Sequence, residues 1–351
     1  MPAPTPRLAL FHAGDPSSRV WVERLAQRIG PDVLIGDLSL LEDALTMDAQ
    51  RLLWNGVEMT SMERVFLYGF RYVNPVIPDA AVQRDWSVWR DDHLAEQQGY
   101  SAVLSFLQEL SRRGTAVLNH AEVHIRHQRP FVELERLRMA GVAVPELLLT
   151  NEAVAAERFM ARHQQVVWRP ASGRGAWQRF THRQQQDLVA EHKPPVMLAK
   201  VISGPLQRSY FLAGYWVQHL RHEAPDATPA LERLERFQSV KPSPSILRSL
   251  APLLAKGKIP PLGWGLVSYV VGDDGQAWIY DLDPDPRLET LPAPHRTRLL
   301  TALGGYLRKG RRSSTPSLQT DPQAISRPQL FLRRMLRILF EFEHSKYKPQ
   351  V

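Results

Sequence analysis

Hydrophobic positions recur with two periods along this chain, and the order in which those periods alternate predicts its architecture. Residues 7–11 read as a strand, residues 18–29 set apolar side chains at helical spacing, and residues 33–35 give a second short strand. An apolar run at 62–70 follows, so the chain begins as an α/β unit. Residues 71–97 are rich in Trp, Arg and Asp without a clean period. A helix is predicted at 100–113, and a strand at 116–118 stops at Asn119, where we place a boundary. Helical periodicity returns at 130–140 and is stopped by Gly141. A strand at 147–149, a helix at 152–163 and a strand at 165–169 lead into the glycine loop Ala171-Ser172-Gly173-Arg174-Gly175. Strands are predicted at 197–202 and 209–221, the latter turning at Gly214; residues 224–244 read as a polar loop and 245–256 as a helix.

The segment 264–288 carries the densest chemistry. Leu266, Val267, Tyr269, Val270 and Val271 form a strand, Asp273-Asp274-Gly275 supplies turn residues, and 277–280 resumes the strand. Successive strand side chains point to opposite faces, so Asp281 and Asp283 share one face while Leu282 turns to the other. Two carboxylates side by side repel unless a cation lies between them. A hard ion such as Mg²⁺ takes one or two carboxylates and completes its shell with water and phosphate. The same residues, with Asp285, also read as a solvated acidic loop held by Pro284 and Pro286, with Arg287 pairing locally.

Composition narrows the classes. With 351 residues, 44% of them hydrophobic, the chain has the material for two or three packed lobes. It contains no cysteine, which excludes disulfides, thiolate metal sites and a thiol nucleophile. No apolar run approaches a membrane span and no signal-peptide core precedes residue 14, so a cytoplasmic protein is expected. The formal charge of +8 points to anionic partners, but much of it is local. Arg308, Lys309, Arg311 and Arg312 fall in one run, and Arg333, Arg334, Arg337, Lys346 and Lys348 lie near the end. Without zinc-finger spacings or aromatic-basic sheet motifs, no nucleic-acid partner is expected. Residues 308–328 read as a flexible linker and 328–342 as a basic amphipathic helix, which either docks on a partner or membrane surface or packs on its own domain.

A strand VVWRP leading into a glycine loop, a strand LAKVI, the segment SGPLQRSYFLAG and the carboxylate hairpin occur in that order. Over residues 116–290 this order resembles the ATP-grasp superfamily, in particular its RimK-like and glutathione synthetase-like carboxylate-amine ligases. The resemblance implies an α/β (α+β) fold: a pre-grasp α/β domain at 1–118, a central lobe at 119–200, a C-terminal lobe at 201–305, and a basic linker and helix at 306–351. It implies that Arg169, standing where the family has lysine, contacts nucleotide phosphates under a loop containing Ser172, Gly173 and Gly175. Lys200, Val201 and Ile202 take the place of the hinge whose backbone reads adenine. Arg208 is similar to the arginine that stabilises the transferred phosphoryl group, and Arg221 to one that contacts the acyl phosphate or substrate carboxylate. Arg129, or Arg126, stands near a further phosphate-contacting lysine position. The metal positions read Ser268, Asp281 and Asp283, so Asp281 and Asp283 are the implied Mg²⁺ ligands.

The implied reaction uses ATP and Mg²⁺ to join a carboxylate to an amine through an acyl phosphate. The substrate would be a small molecule or a peptide, held in part by the aromatic stretch 66–72 with Trp86, Trp89 and Arg90. The departures at Arg169 and Ser268 carry an alternative: a catalytically impaired relative that binds nucleotide or a partner protein, with homo-oligomerisation left open.

Overall fold

The first stretch of chain wraps helices around a parallel sheet because its strands are apolar on both faces. In the computed structural model, residues 6–40, 43–70, 86–171, 177–181, 194–222, 237–254, 263–288 and 291–309 are described. The order begins β1 (Leu8–His12), α1 (Pro16–Ile29), β2 (Val33–Asp37) and a small antiparallel meander of β3 (Leu45–Met47), β4 (Leu52–Trp54) and β5 (Val57–Glu58). It continues with β6 (Arg64–Tyr68), α2 (Trp86–Arg112) and β7 (Ala116–Leu118). The strands β2, β1, β6 and β7 form a parallel sheet in that order. Leu8 and Leu10 join a core with Trp21, Leu25 and Ile29 of α1, while Ala9 and Phe11 join another with Phe106 and Leu107 of α2. Helix α1 is set by its ends: Asp15 accepts a hydrogen bond from the Ser18 amide at 3.0 Å and Pro16 occupies the first turn.

The second sheet is antiparallel. After α3 (Ala121–His127) and α4 (Pro130–Met139) come β8 (Leu147–Thr150), α5 (Ala153–Arg162), β9 (Val166–Pro170), β10 (Gln178–Arg179) and β11 (Val196–Lys200), paired as β10-β9-β11-β8. Val166 and Leu198 pack with Ala156 and Phe159 of α5. The alternate residues, Val167, Met197 and Ala199, belong to the core shared with the third sheet.

That third sheet holds β12 (Leu206–Leu212), β13 (Tyr215–His222) and β14 (Phe237–Ser239), then, beyond α6 (Pro244–Leu254), β15 (Trp264–Val271) and β16 (Ala277–Asp283). Its order is β14-β13-β12-β15-β16, all antiparallel. The turn between β12 and β13 uses Ala213 and Gly214, both at positive φ (50° and 80°), the geometry that matches strand twist in a two-residue hairpin. The final described helix, α7 (Ala293–Lys309), returns to pack on α1, placing Leu299, Leu303 and Leu307 in the core with Leu25. All described residues lie within one unit, Met1–Lys309, and none of their helices is long and apolar enough to cross a membrane.

Several elements differ from the sequence reading. Helix α2 begins at Trp86, not near residue 100. The strand expected to reach residue 202 ends at Lys200, and β14 lies inside the stretch read as loop. The meander at 45–58, α3 and α7 were not predicted; each is short or punctuated by His, Gly and Arg, so its apolar period is weak. Ser172, Gly173 and Gly175, residues 71 and 72 of the aromatic stretch, and the linker and tail from residue 310 lie outside the described residues.

Candidate active site

On β9, Val167 and Arg169 share a face, and because the other face is covered by α5, Arg169 is directed toward the third sheet. Its guanidinium is only 2% exposed. Nη1 donates to Oδ1 of Asp281 at 3.1 Å, and the guanidinium carbon lies 4.7 Å from the centre of the Trp177 ring. Nε and Nη2 are buried without a hydrogen-bond partner among the described residues. A buried donor left unpaired costs about 1–3 kcal/mol, so this group is complementary to an incoming anionic oxygen.

Strand register places the carboxylates. Arg208 stands opposite Ser268, and Ser268 opposite Asp281, so these three form one row across β12, β15 and β16. Asp283 stands opposite Leu266 in a neighbouring row. Its Oδ1 accepts from the Asp285 amide at 2.9 Å and lies 3.7 Å from Nε2 of His127 at the end of α3. Burial pushes the Asp281 carboxyl up, but the charge of Arg169, that of His127 and the hydrogen bond from Arg169 together hold it below the ordinary carboxylate range. Among the described residues, no three acidic or histidine side chains cluster to hold a metal by themselves. Asp281 and Asp283 offer oxygen donors of the type Mg²⁺ takes, with most of a shell left for phosphate and water.

Tyr280, the neighbour of Asp281 on β16, is 1% exposed. Its hydroxyl donates to the Lys200 carbonyl oxygen at 2.7 Å and accepts from the Ile202 amide at 2.8 Å. Burial pushes this phenol above its ordinary range. Trp177 packs edge-on against the Tyr280 ring and donates from Nε1 to the Tyr280 carbonyl at 3.2 Å. Asn119, just past β7, fastens the hairpin to the first sheet. Its Nδ2 donates to the carbonyls of Trp264 and Pro284, both at 2.6 Å, and its Oδ1 accepts from the amides of Gly263 and Trp264, both at 2.9 Å.

This arrangement of sheets matches solved structures over most of its length. The ATP-grasp ligase PsnB, complexed with a phosphomimetic variant of its minimal precursor, Mg and ADP, superposes with a TM-score of 0.69 at 19% identity, covering 86% of this chain and 97% of that one. The chain has the ATP-grasp fold. A RiPP-associated ATP-grasp ligase from Chryseobacterium gregarium, in complex with ADP and a leader and core peptide, matches with a TM-score of 0.63 at 13% identity over 87% of this chain and 96% of that one. The macrocyclase MdnC from Microcystis aeruginosa MRC, bound with precursor peptide MdnA, gives 0.63 and 13% over 86% and 98%. No family model matches the sequence, and no curated protein matches it.

Within this ATP-grasp fold the residues singled out from sequence divide into two sets. Arg169 bonds Asp281, which shares a strand row with Arg208 and a strand face with Asp283, while Lys200 and Ile202 bond the hydroxyl of Tyr280, the neighbour of Asp281. Arg221 is exposed and stands opposite Gln207, so it lies on the other face of the sheet from Arg208. Arg129 is an exposed residue preceding α4, and Arg126 pairs with Glu122 at 3.0 Å on the surface of α3. The α3 side chain that approaches the carboxylates is His127. Sequence reasoning missed His127, Trp177, Tyr280 and the clamp made by Asn119, although it had marked Asn119 as a strand end. A lone His, Trp or Tyr carries no spacing signal. The break in alternation between Ile279 and Leu282 was available, and it marks Tyr280 as an extra residue in the strand.

Proposed function

We propose that this protein is an ATP- and Mg²⁺-dependent carboxylate-amine ligase, acting in the cytoplasm on a peptide. The observation that carries the reading is Arg169: a buried guanidinium paired to a carboxylate, with Nε and Nη2 unpartnered among the described residues, in an ATP-grasp fold. Peptide-bound relatives of the same fold support a peptide substrate. The absence of cysteine agrees with chemistry that needs no protein nucleophile. In the proposed reaction a substrate carboxylate takes the γ-phosphoryl group of ATP, and an amine displaces phosphate from the acyl phosphate to give an amide.

Arg169 binds phosphate oxygens through Nε and Nη2, and Arg208, in the row of Asp281, neutralises charge on the transferred group. Asp281 and Asp283 would hold Mg²⁺, which supplies further neutralisation of the phosphate oxygens. The backbone at Lys200 and Ile202 reads the base. The test is ADP release from ATP and Mg²⁺ that depends on both an acidic peptide and an amine. Asp281→Asn and Arg208→Ala should each abolish it while the circular dichroism spectrum is retained. Absence of ATP binding by calorimetry at millimolar nucleotide would overturn the reading. A second reading, nucleotide binding without turnover, is favoured by Ser268 in the row between Arg208 and Asp281. It predicts ATP binding with no ADP release.

A further inference from the structure

An extended segment turns the carbonyl of one residue and the amide of the residue two further on toward the same edge. At the end of β11 the Lys200 amide bonds the Glu146 carbonyl at 3.0 Å, just before β8 begins, and the Val201 amide turns the other way to Gln165, also at 3.0 Å. The Lys200 carbonyl and the Ile202 amide are therefore the next acceptor and donor on the β8 edge, beyond the point where β8 can pair with them. An acceptor and a donor so spaced are complementary to the N6 amino group and N1 of adenine. A tyrosine hydroxyl, which donates once and accepts, meets the same pair of groups with a single atom.

We infer that the Tyr280 hydroxyl is a built-in surrogate for the adenine edge, and that Tyr280 sets nucleotide affinity by competing for Lys200 and Ile202. The inference rests on the proposed use of ATP. Three observations carry it. The hydroxyl satisfies both hinge groups at once, at 2.7 and 2.8 Å. The ring is buried and braced by Trp177, so it is a formed contact with a defined position. Tyr280 is also the unpaired residue at the register shift in β16, facing Ile279 and Asp281 neighbours that pair with consecutive residues of β15; a bulge of this kind is a device for re-aiming one side chain. Nucleotide must displace the hydroxyl before the base can seat, and both hinge bonds are then exchanged rather than gained.

The experiment compares wild-type protein with Tyr280→Phe and Tyr280→Leu, full chain, by titration calorimetry with ATP and with ITP in Mg²⁺, omitting acid and amine substrates. ITP carries an acceptor at position 6 and a donor at N1, the reverse of adenine, so the hinge groups repel it and its base leaves the Tyr280 hydroxyl in place. Removing the hydroxyl leaves the hinge groups unpaired until a base arrives, so both variants should bind ATP tighter by about tenfold or more, with ITP unchanged. Equal ATP affinity in all three proteins overturns the surrogate while leaving ATP use intact. Equal gains for ATP and ITP also overturn it, because a loosened cleft would not discriminate between bases. No binding by any of the three at millimolar nucleotide overturns both this inference and the proposed function. Thermal midpoints of the three proteins, measured alongside, identify a variant that has lost its fold; the other variant then decides the outcome.

Discussion

Replacing Asn119 tests whether one amide holds the carboxylate hairpin to the first sheet. The side chain is 2% exposed, and all four of its bonds go to backbone groups at the open end of the β15–β16 hairpin, away from its turn. In Asn119→Ala, two carbonyls and two amides lose their partner in a site where water does not reach the side chain. At about 1 kcal/mol of net stability per lost bond, and more where a partner stays buried and unpaired, the total is about 4 kcal/mol. That is a large share of the roughly 5–15 kcal/mol that separates a folded domain from its unfolded chain. Asn119→Asp is the sharper variant, because it keeps the shape and the two accepted bonds but sets a carboxylate oxygen against the carbonyls of Trp264 and Pro284. It should be at least as destabilised as the alanine variant at pH 7, and should recover part of the loss at pH 4, where the carboxyl gains a proton to donate. Urea unfolding followed by tryptophan fluorescence gives the midpoints. If Asn119→Ala costs less than about 1 kcal/mol, or if Asn119→Asp matches wild type at pH 7, the four-bond clamp is wrong.

Three other perturbations have signed outcomes. Arg169→Met strands Asp281 without its cation, and breaking one side of a largely buried pair should cost about 3 kcal/mol at pH 7. Because Arg169 lowers the Asp281 pKa, its stabilisation is present above the unfolded carboxylate value and lost as pH falls through the folded one, so wild-type and variant melting curves should converge toward pH 3. His219 donates to or accepts from the Ser209 hydroxyl at 2.6 Å, and burial pushes its pKa down to about 4. The unfolded chain then binds the extra proton first, so stability should rise between pH 4 and 6.5, and His219→Gln should flatten that slope in pH-dependent thermal melts. Gly204 sits at φ +143°, where an added Cβ would overlap the carbonyl oxygen of Val271. Gly204→Ala should cost about 3 kcal/mol in chemical denaturation, from backbone strain and overlap with a ladder strand.

The legible parts of the fold are those where local chemistry and tertiary packing agree. Helix α1 has its cap, its Pro and its apolar stripe in sequence, and all three are used. The turns at Gly214 and Gly275 are glycines at positive φ, which is why the two hairpins could be drawn from sequence. Helix α7 was not legible because its stripe of Leu299, Leu303 and Leu307 is broken by Gly304 and Gly305 and begins after a proline-rich stretch; it becomes a helix by packing on α1. Of the charged residues marked from sequence, Arg169, Arg208, Asp281 and Asp283 lie near one another while Arg221 and Arg129 lie elsewhere, and the aromatic residues Trp177 and Tyr280 packed beside them were not marked. Asp281 and Arg208 announce themselves by charge beside a strand. His127 reaches Asp283 only because α3 ends against β16, a fact of tertiary placement.

One extra residue explains how the hairpin serves both the core and the cleft. In an unbroken ladder, continuing the pairing of Ile279 with Tyr269 would set Asp281 opposite Val267, which is fully buried among apolar side chains. A charge there would have no compensation. The shift at Tyr280 moves Asp281 to face Ser268 and sends Leu282 to Val267, so the apolar sequence steps from Ala277 and Ile279 to Leu282 and stays in the core throughout. The carboxylates at 281 and 283 are thereby turned together toward Arg169 and His127. The displaced residue cannot join either face of the ladder, and its ring reaches the end of β11. The position of the carboxylates and the contact of the Tyr280 hydroxyl with Lys200 and Ile202 are thus set by the same bulge, and a ligand that moves the Tyr280 ring acts on the residue joined directly to Asp281.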